Sequence, residues 1–119
     1  MTDCVFCNII AGTAPADLLY EDEDVIVIRD IHPVAPVHLL IIPRKHINSL
    51  NELQPEDAGL ASRLLLIVPT IARQVLGIDA AFRTVINTGA DAGQTVFHLH
   101  VHIISGRPFV SHLFTRGLR

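Results

Sequence analysis

Three histidines alternate with apolar residues near the carboxyl-terminal end of the 119-residue chain, in the run His98-Leu99-His100-Val101-His102. Successive side chains of a β-strand point to opposite faces, so this spacing puts all three imidazoles on one face of a strand. Neutral imidazole is a competent nucleophile toward phosphorus and titrates near neutral pH. This pattern allows three interpretations: a solvent-exposed strand face that carries histidines by chance, a zinc site, or nucleophilic catalysis.

The polar loop before these histidines favours the catalytic interpretation. Asn87 ends the preceding predicted strand, and Gly93, Gln94 and Thr95 lie just ahead of the histidines. Glycine lets backbone N–H groups approach an anion closely, while amide and hydroxyl side chains can hold phosphoryl oxygens or a leaving group. A phosphate-binding loop beside a histidine face is typical of phosphoryl or nucleotidyl transfer.

The chain has two cysteines, Cys4 and Cys7, in a C-x-x-C spacing. In a reducing compartment this spacing suggests metal binding or redox chemistry. Ordinary thiols, a redox pair and half of a structural zinc site are the alternatives. A tetrahedral zinc site would need two further ligands.

Charge and composition exclude some classes of function. A net charge of −3 argues against general binding of nucleic acid polymers but allows a single bound nucleotide. The sequence shows no signal-peptide pattern, and we predict no membrane-spanning run, so we expect a cytoplasmic protein with no membrane partner. Half of the residues are hydrophobic, which in so small a chain favours an apolar face buried against a second copy.

The hydrophobic pattern predicts a single domain over residues 1–119. A helix begins at Pro55 and ends before Gly77, with a kink or break at Pro69. The tail from Phe109 has no clear pattern. Short loops between consecutive strands favour an antiparallel sheet that carries helices, an α+β fold. The predicted strands are Val25–Ile31, His38–Ile42, Phe82–Asn87 and Val96–Ile104.

The chain resembles the histidine triad (HIT) family, and within it the Hint branch of bacterial type. The family signature, His-x-His-x-His followed by two apolar residues, is matched at 98–104. Further matching segments stand in the family's order: Tyr20-Glu21-Asp22, Asp30-Ile31-His32-Pro33, Ala35-Pro36-Val37-His38, Ile42-Pro43-Arg44-Lys45-His46, and Asn87 through Gly93-Gln94-Thr95-Val96.

The resemblance implies a five-stranded antiparallel sheet that continues across a homodimer. It also implies the catalytic roles. His100 matches the nucleophile that becomes nucleotidylated, His102 the contact to the α-phosphate, and His38 the support of the nucleophile through a hydrogen-bond relay, while His98 completes the triad. The nucleotide-binding positions are Asp30 for the ribose hydroxyls, Ile28 and Ile31 for the base pocket, and Asn87, Gly93, Thr95 and Val96 for the phosphate and leaving group.

By the same resemblance, His46 and His98 complete a structural zinc site with the two cysteines, and catalysis itself needs no metal. The activity implied is hydrolysis of purine nucleoside phosphoramidates with release of AMP or GMP. The alternatives are a dinucleoside polyphosphate hydrolase and a nucleotide-binding regulatory module with little catalysis.

Overall fold

A computed structural model of the protein describes residues 2–106. The residues beyond this range include the predicted patternless tail. The described chain forms helix α1 (Val5–Ile10), strands β1 (Leu18–Glu21), β2 (Val25–Arg29) and β3 (Val37–Pro43), helix α2 (Ala58–Leu76), and strands β4 (Arg83–Val85) and β5 (Val101–Ser105). Short 3-10 turns lie at Leu50–Glu52, Pro55–Asp57 and Ala90–Ala92.

The strands form one antiparallel sheet in the order β1-β2-β3-β5-β4. Strand β3 is central, and its Leu40 lies opposite His102 of β5. The predicted α+β fold with a five-stranded antiparallel sheet is confirmed.

The two faces of the sheet pack against different helices. One face, which includes Leu39, Ile41 and Ile103, packs against α2. The other face, which includes Leu40 and Ile42, packs against Phe6 of α1. Directly paired residues of neighbouring strands share a face. His102 therefore lies on the α1 side of the sheet, and so does His38, two residues before Leu40.

The histidine strand is shorter than the predicted Val96–Ile104. Strand β5 begins at Val101, so His98 and His100 precede it, and the expectation that all three histidines share one strand is wrong. The partner strand β3 ends at Pro43, which has no N–H to extend the ladder. The N–H of Leu99 instead donates to the carbonyl of Ile47 at 2.7 Å. The strand predicted at 82–87 is likewise shorter, at Arg83–Val85.

The sequence predicts a kink or a break at Pro69. Helix α2 continues through Pro69, so the predicted break is wrong. Pro69 lies on the exposed side of the helix, where water can satisfy the carbonyl of Leu65. The segment Pro55–Leu76 has 22 residues and contains an 18-residue window with a mean hydropathy of 1.3, so by length and composition it could span a membrane. This corrects the prediction that no run reaches that length, although a helix with one face packed on a sheet meets the same criteria.

Candidate functional site

His38, His100 and His102 form a buried imidazole cluster on the α1 side of the sheet. Their relative exposures are 3%, 3% and 0%. The rings of His100 and His102 lie 4.9 Å apart, and those of His38 and His102 lie 5.2 Å apart. His98 is also buried but turns toward a different group of residues. The structure thus divides the predicted triad between two sites.

The hydrogen bond of His100 fixes its tautomer. Its Nδ1 lies 2.7 Å from the carbonyl oxygen of His98, which can only accept, so Nδ1 carries the proton. In the neutral ring the lone pair is then on Nε2. A nitrogen with an in-plane lone pair and a held partner nitrogen is the form of imidazole that attacks an electrophile.

A second chain of hydrogen bonds gives His102 the opposite tautomer. The backbone N–H of Val34 donates to His38 Nδ1 at 3.2 Å, so the proton of neutral His38 lies on Nε2. That Nε2 donates to His102 Nδ1 at 2.9 Å. The proton of neutral His102 therefore lies on its own Nε2. One histidine of the pair offers a lone pair and the other offers an N–H donor.

The carboxylate of Asp30 belongs to the same cluster. Its side chain is fully buried, Oδ1 accepts from the N–H of His32 at 2.8 Å, and Oδ2 lies 3.4 Å from His38 Nε2. An acceptor at this place stabilises the N–H tautomer of His38 and any positive charge that reaches it. The ribose contact expected of Asp30 stays a prediction.

Gln94, expected among the nucleotide contacts, is an internal brace of the polar loop. It is 2% exposed. Its Oε1 accepts from the N–H of Gly89 at 2.9 Å, and its Nε2 donates to the carbonyls of Asn48 at 2.7 Å and Val96 at 3.1 Å. Gly93 has a left-handed φ of 103°, which favours glycine. Gln94 therefore holds the backbone of the loop, while Thr95 beside it is exposed.

Replacing Gln94 with glutamate is expected to lower the free energy of unfolding by about 2 kcal/mol, because the two part-buried carbonyls of Asn48 and Val96 lose their donor and face a carboxylate oxygen. Urea denaturation measures this loss, and hydrogen exchange of the amides at 89–96 should quicken. Gln74→Glu, on the exposed side of α2, is the matched control and should change little. Equal stability of the two variants would contradict the bracing role.

An apolar cleft opens next to the imidazole cluster. Residues of α1 line one wall, and Ile28, Ile31 and Asp30 line the other. Ile28 is 4% exposed, whereas Ile31 is 72% exposed at the rim. The α1 residues that contribute are Val5, Phe6 and Ile9. The elements predicted from the sequence do not include α1, although the spacing of these three side chains follows a helical period.

The structure brings Cys4, Cys7, His46 and His98 together, with their potential ligand atoms all within 4.8 Å of one another. The Cys4 sulfur lies 3.4 Å from His98 Nδ1, and the Cys7 sulfur lies 3.2 Å from His46 Nδ1 and 3.5 Å from His98 Nδ1. Tetrahedral zinc with Zn–S near 2.3 Å and Zn–N near 2.0 Å requires S···N separations of roughly 3.5 Å. The donor set fits zinc.

The surroundings of the two histidines also suit a metal. The Nε2 atoms donate away from the cluster, from His98 to the Pro43 carbonyl and from His46 to Asn48 Oδ1, each at 2.7 Å. Both rings thus present Nδ1 to the cluster. Burial, with the nearby His46 and His100, lowers the pKa of His98 to about 4 and keeps it neutral. Burial raises the pKa of the Cys7 thiol, so metal binding there would release a proton.

The metal-free protein is expected to lose stability as the pH falls below 6.5. His98 takes up its proton near pH 6.5 when unfolded but near pH 4 when folded, so the unfolded state holds more protons between these values. The free energy of unfolding should fall by about 2 kcal/mol between pH 6.5 and pH 5. Urea denaturation of chelator-treated protein measures this fall. A His98→Gln variant should show a smaller dependence, and an equal slope in both proteins would contradict the assignment.

Comparisons with known proteins show which family the chain resembles over most of its length. The family model described as "Scavenger mRNA decapping enzyme C-term binding" matches residues 3–112. The chain is similar to an uncharacterized HIT-like protein of Synechocystis, with 49% identity over 90% of this chain and 93% of the relative. It is also similar to the protein HitA of Neisseria gonorrhoeae, with 46% identity over 87% of this chain and 96% of the relative.

The chain is also similar to solved structures of HIT family proteins. A HIT family hydrolase from Legionella pneumophila superposes with a TM-score of 0.87 and 37% identity, over 92% of this chain and 97% of that chain. A zinc-bound histidine triad family protein from Mycobacterium smegmatis has a TM-score of 0.73 and 39% identity, over 88% of this chain and 76% of that chain.

Proposed function

The chain belongs to the histidine triad (HIT) family, and from this premise we propose that it is a purine nucleoside phosphoramidase that works through a nucleotidyl-histidine intermediate. The observation that carries the proposal is the pair of opposite tautomers at His100 and His102. A nucleophile and a hydrogen-bond donor side by side are what displacement at a phosphoryl group requires.

The reaction has two displacements. The lone pair of His100 Nε2 attacks the α-phosphorus, the P–N bond to the amine breaks, and the amine leaves after taking up one proton. Water then attacks the same phosphorus, the P–Nε2 bond breaks, and one proton returns to solvent. AMP or GMP is released, and His100 is again a neutral imidazole with its proton on Nδ1.

The surrounding residues stabilise charge during both steps. His102 Nε2–H donates to a phosphoryl oxygen, and the carbonyl of His98 holds the ring of His100 as it becomes positively charged. The loop of Gly93, Thr95 and Val96 would supply backbone and hydroxyl donors to the phosphate, with Asn87 on the leaving-group side.

The nucleoside would occupy the apolar cleft. Ile28, Ile31 and the α1 residues give the base a hydrophobic slot, and Asp30 lies at the same cleft with a carboxylate that can accept from ribose hydroxyls. No charged group other than Arg29 and Asp30 lines the cleft within residues 2–106, which suits an uncharged purine ring.

Zinc in the four-residue cluster would be structural. Cys4, Cys7, His46 and His98 provide all four ligands of a tetrahedral site, which leaves no position for a substrate or water. The metal would neutralise the cysteine thiolates and fix the amino-terminal segment to the loop before β5. Catalysis would then depend on His38, His100 and His102, which lie outside this ligand set.

We also propose that the protein is a cytoplasmic homodimer. Leu65 and Leu66 on the outer side of α2 are 63% and 67% exposed, and a second copy would cover this apolar surface. Sedimentation equilibrium at micromolar concentration should give twice the monomer mass.

The proposed activity is tested by comparing an adenosine phosphoramidate with a diadenosine polyphosphate at equal concentrations. We expect the phosphoramidate to be hydrolysed faster, with AMP and free amine as products. Faster hydrolysis of the dinucleotide would instead assign a dinucleoside polyphosphate hydrolase. Binding of AMP without turnover of either compound would assign a regulatory nucleotide-binding module.

A further inference from the structure

We propose that Phe6 is a positioning residue for the nucleophile, holding the His100 ring in the orientation that the reaction needs. The inference rests on the proposed function of His100. It concerns a residue of α1 that follows one cysteine of the C-x-x-C pair and precedes the other.

The aromatic ring of Phe6 meets the nucleophile edge-on. The centroids of the Phe6 and His100 rings lie 5.0 Å apart at an interplanar angle of 80°. The same ring lies 5.9 Å from His98 at 76°. Phe6 is 1% exposed, so these contacts are made in the interior of the protein. Edge-to-face pairs at such distances are favourable beyond the area they bury.

The hydrogen bond of His100 alone does not fix the ring. The contact from Nδ1 to the His98 carbonyl holds one nitrogen, but the ring can still tilt about that bond. His102 contacts the ring at a centroid distance of 4.9 Å, and Phe6 supplies a second contact at nearly the same distance. The hydrogen bond and the two ring contacts together define where Nε2 points.

Helix α1 is itself fixed by what it touches. A helix of six residues is too short to be stable alone. Phe6 packs into the cluster formed by Ile26, Ile28, Leu40 and Ile42. The sulfur atoms of Cys4 and Cys7, at the start of the helix, contact His98 and His46. The Phe6 ring is therefore supported from the sheet and from the cysteine pair at once.

The ring contact with His100 distinguishes Phe6 from Ile9, which lines the same cleft. Ile9 lines the same cleft from the same helix, but an aliphatic side chain provides no ring edge. If Phe6 served only to contact the base, its loss would weaken substrate binding alone. A positioning role instead requires a slower chemical step after the substrate is bound.

The test compares Phe6→Leu, Phe6→Tyr and Ile9→Ala with the wild type in pre-steady-state and steady-state experiments with an adenosine phosphoramidate in excess. At saturating substrate we expect Phe6→Leu to slow formation of the His100 adduct roughly ten- to hundredfold, because small misplacements of a reacting group have effects of this size. Phe6→Tyr keeps the ring and should recover most of the rate. Ile9→Ala should raise KM while the saturated rate falls less than threefold.

Melting temperature and zinc content, measured on each variant, separate misfolding from misplacement. A folded Phe6→Leu variant with a raised KM and the wild-type saturated rate would overturn the positioning role and leave the proposed function intact. A wild-type protein that forms no adduct at all would overturn the proposed function instead. Failure of Phe6→Tyr to recover the rate, in a variant that melts like the wild type, would also count against the inference.

Discussion

His100→Asn is expected to reduce turnover of an adenosine phosphoramidate by at least about 10⁴-fold while AMP still binds with nearly wild-type affinity. The asparagine side chain approximates the volume near Cγ and keeps an N–H donor that can reach the His98 carbonyl. It lacks the nucleophilic lone pair, and loss of a nucleophile commonly has effects of this size. Binding survives because the cleft and the polar loop are unchanged.

The test has three parts. Initial rates with the phosphoramidate give the loss of turnover, and calorimetry with AMP gives the affinity. Mass spectrometry of briefly mixed wild-type protein should reveal one added nucleoside monophosphate, mapped by digestion to His100. The adduct should be missing from the variant.

His32→Asn is the matched control for this substitution. His32 is an exposed histidine near the same cluster, and its backbone N–H, which the substitution keeps, donates to Asp30. Its turnover should stay within about twofold of the wild type, as expected of a surface change. Normal turnover by His100→Asn, or an adduct on another histidine, would refute the assigned nucleophile.

Loss of one metal ligand is expected to have the largest effect on stability. Cys7→Ser removes the sulfur that contacts both His46 and His98. Structural zinc contributes directly to folding free energy in small domains. With a loss of about 2–4 kcal/mol, the melting temperature of a domain of this size should fall by roughly 10–20 °C.

The zinc content of protein purified without chelator should be near one equivalent in the wild type and well below that in Cys7→Ser. Chelator treatment should lower the melting temperature of the wild type toward that of the variant, and added zinc should restore only the wild type. Wild-type protein that carries no zinc, with both thiols reduced, would be incompatible with the proposed site.

The two substitutions also separate the two halves of the histidine triad. His100→Asn should leave zinc content unchanged, because the proposed zinc ligands include His98 and His46 but not His100. Cys7→Ser should lower activity through the position of α1 and of the segment before β5. A zinc-free variant that keeps the full saturated rate would show that the metal cluster supports folding alone.

The sequence by itself determined the fold class and predicted most residues of the candidate site. Hydrophobic alternation and helical spacing are local properties, and they identified β2, β3 and α2 together with the histidine run. The family's ordered motifs then designated His38, His100 and His102 for chemistry and four further side chains for a metal. The structure brings each of these groups together.

Only the tertiary structure decided how these residues are oriented. Strand β5 begins only at Val101, and ahead of it His98 contacts Cys4 while His100 contacts His102. The tautomers depend on backbone partners, the carbonyl of His98 and the N–H of Val34. The bracing role of Gln94 also depends on the tertiary structure, because Gln94 Nε2 donates to the carbonyl of Asn48, which lies 46 residues away in the sequence. The alternation of apolar and polar residues specifies which face of a strand a side chain occupies. Hydrogen-bond partners depend instead on contacts between residues distant in the sequence, and a local sequence pattern does not contain that information.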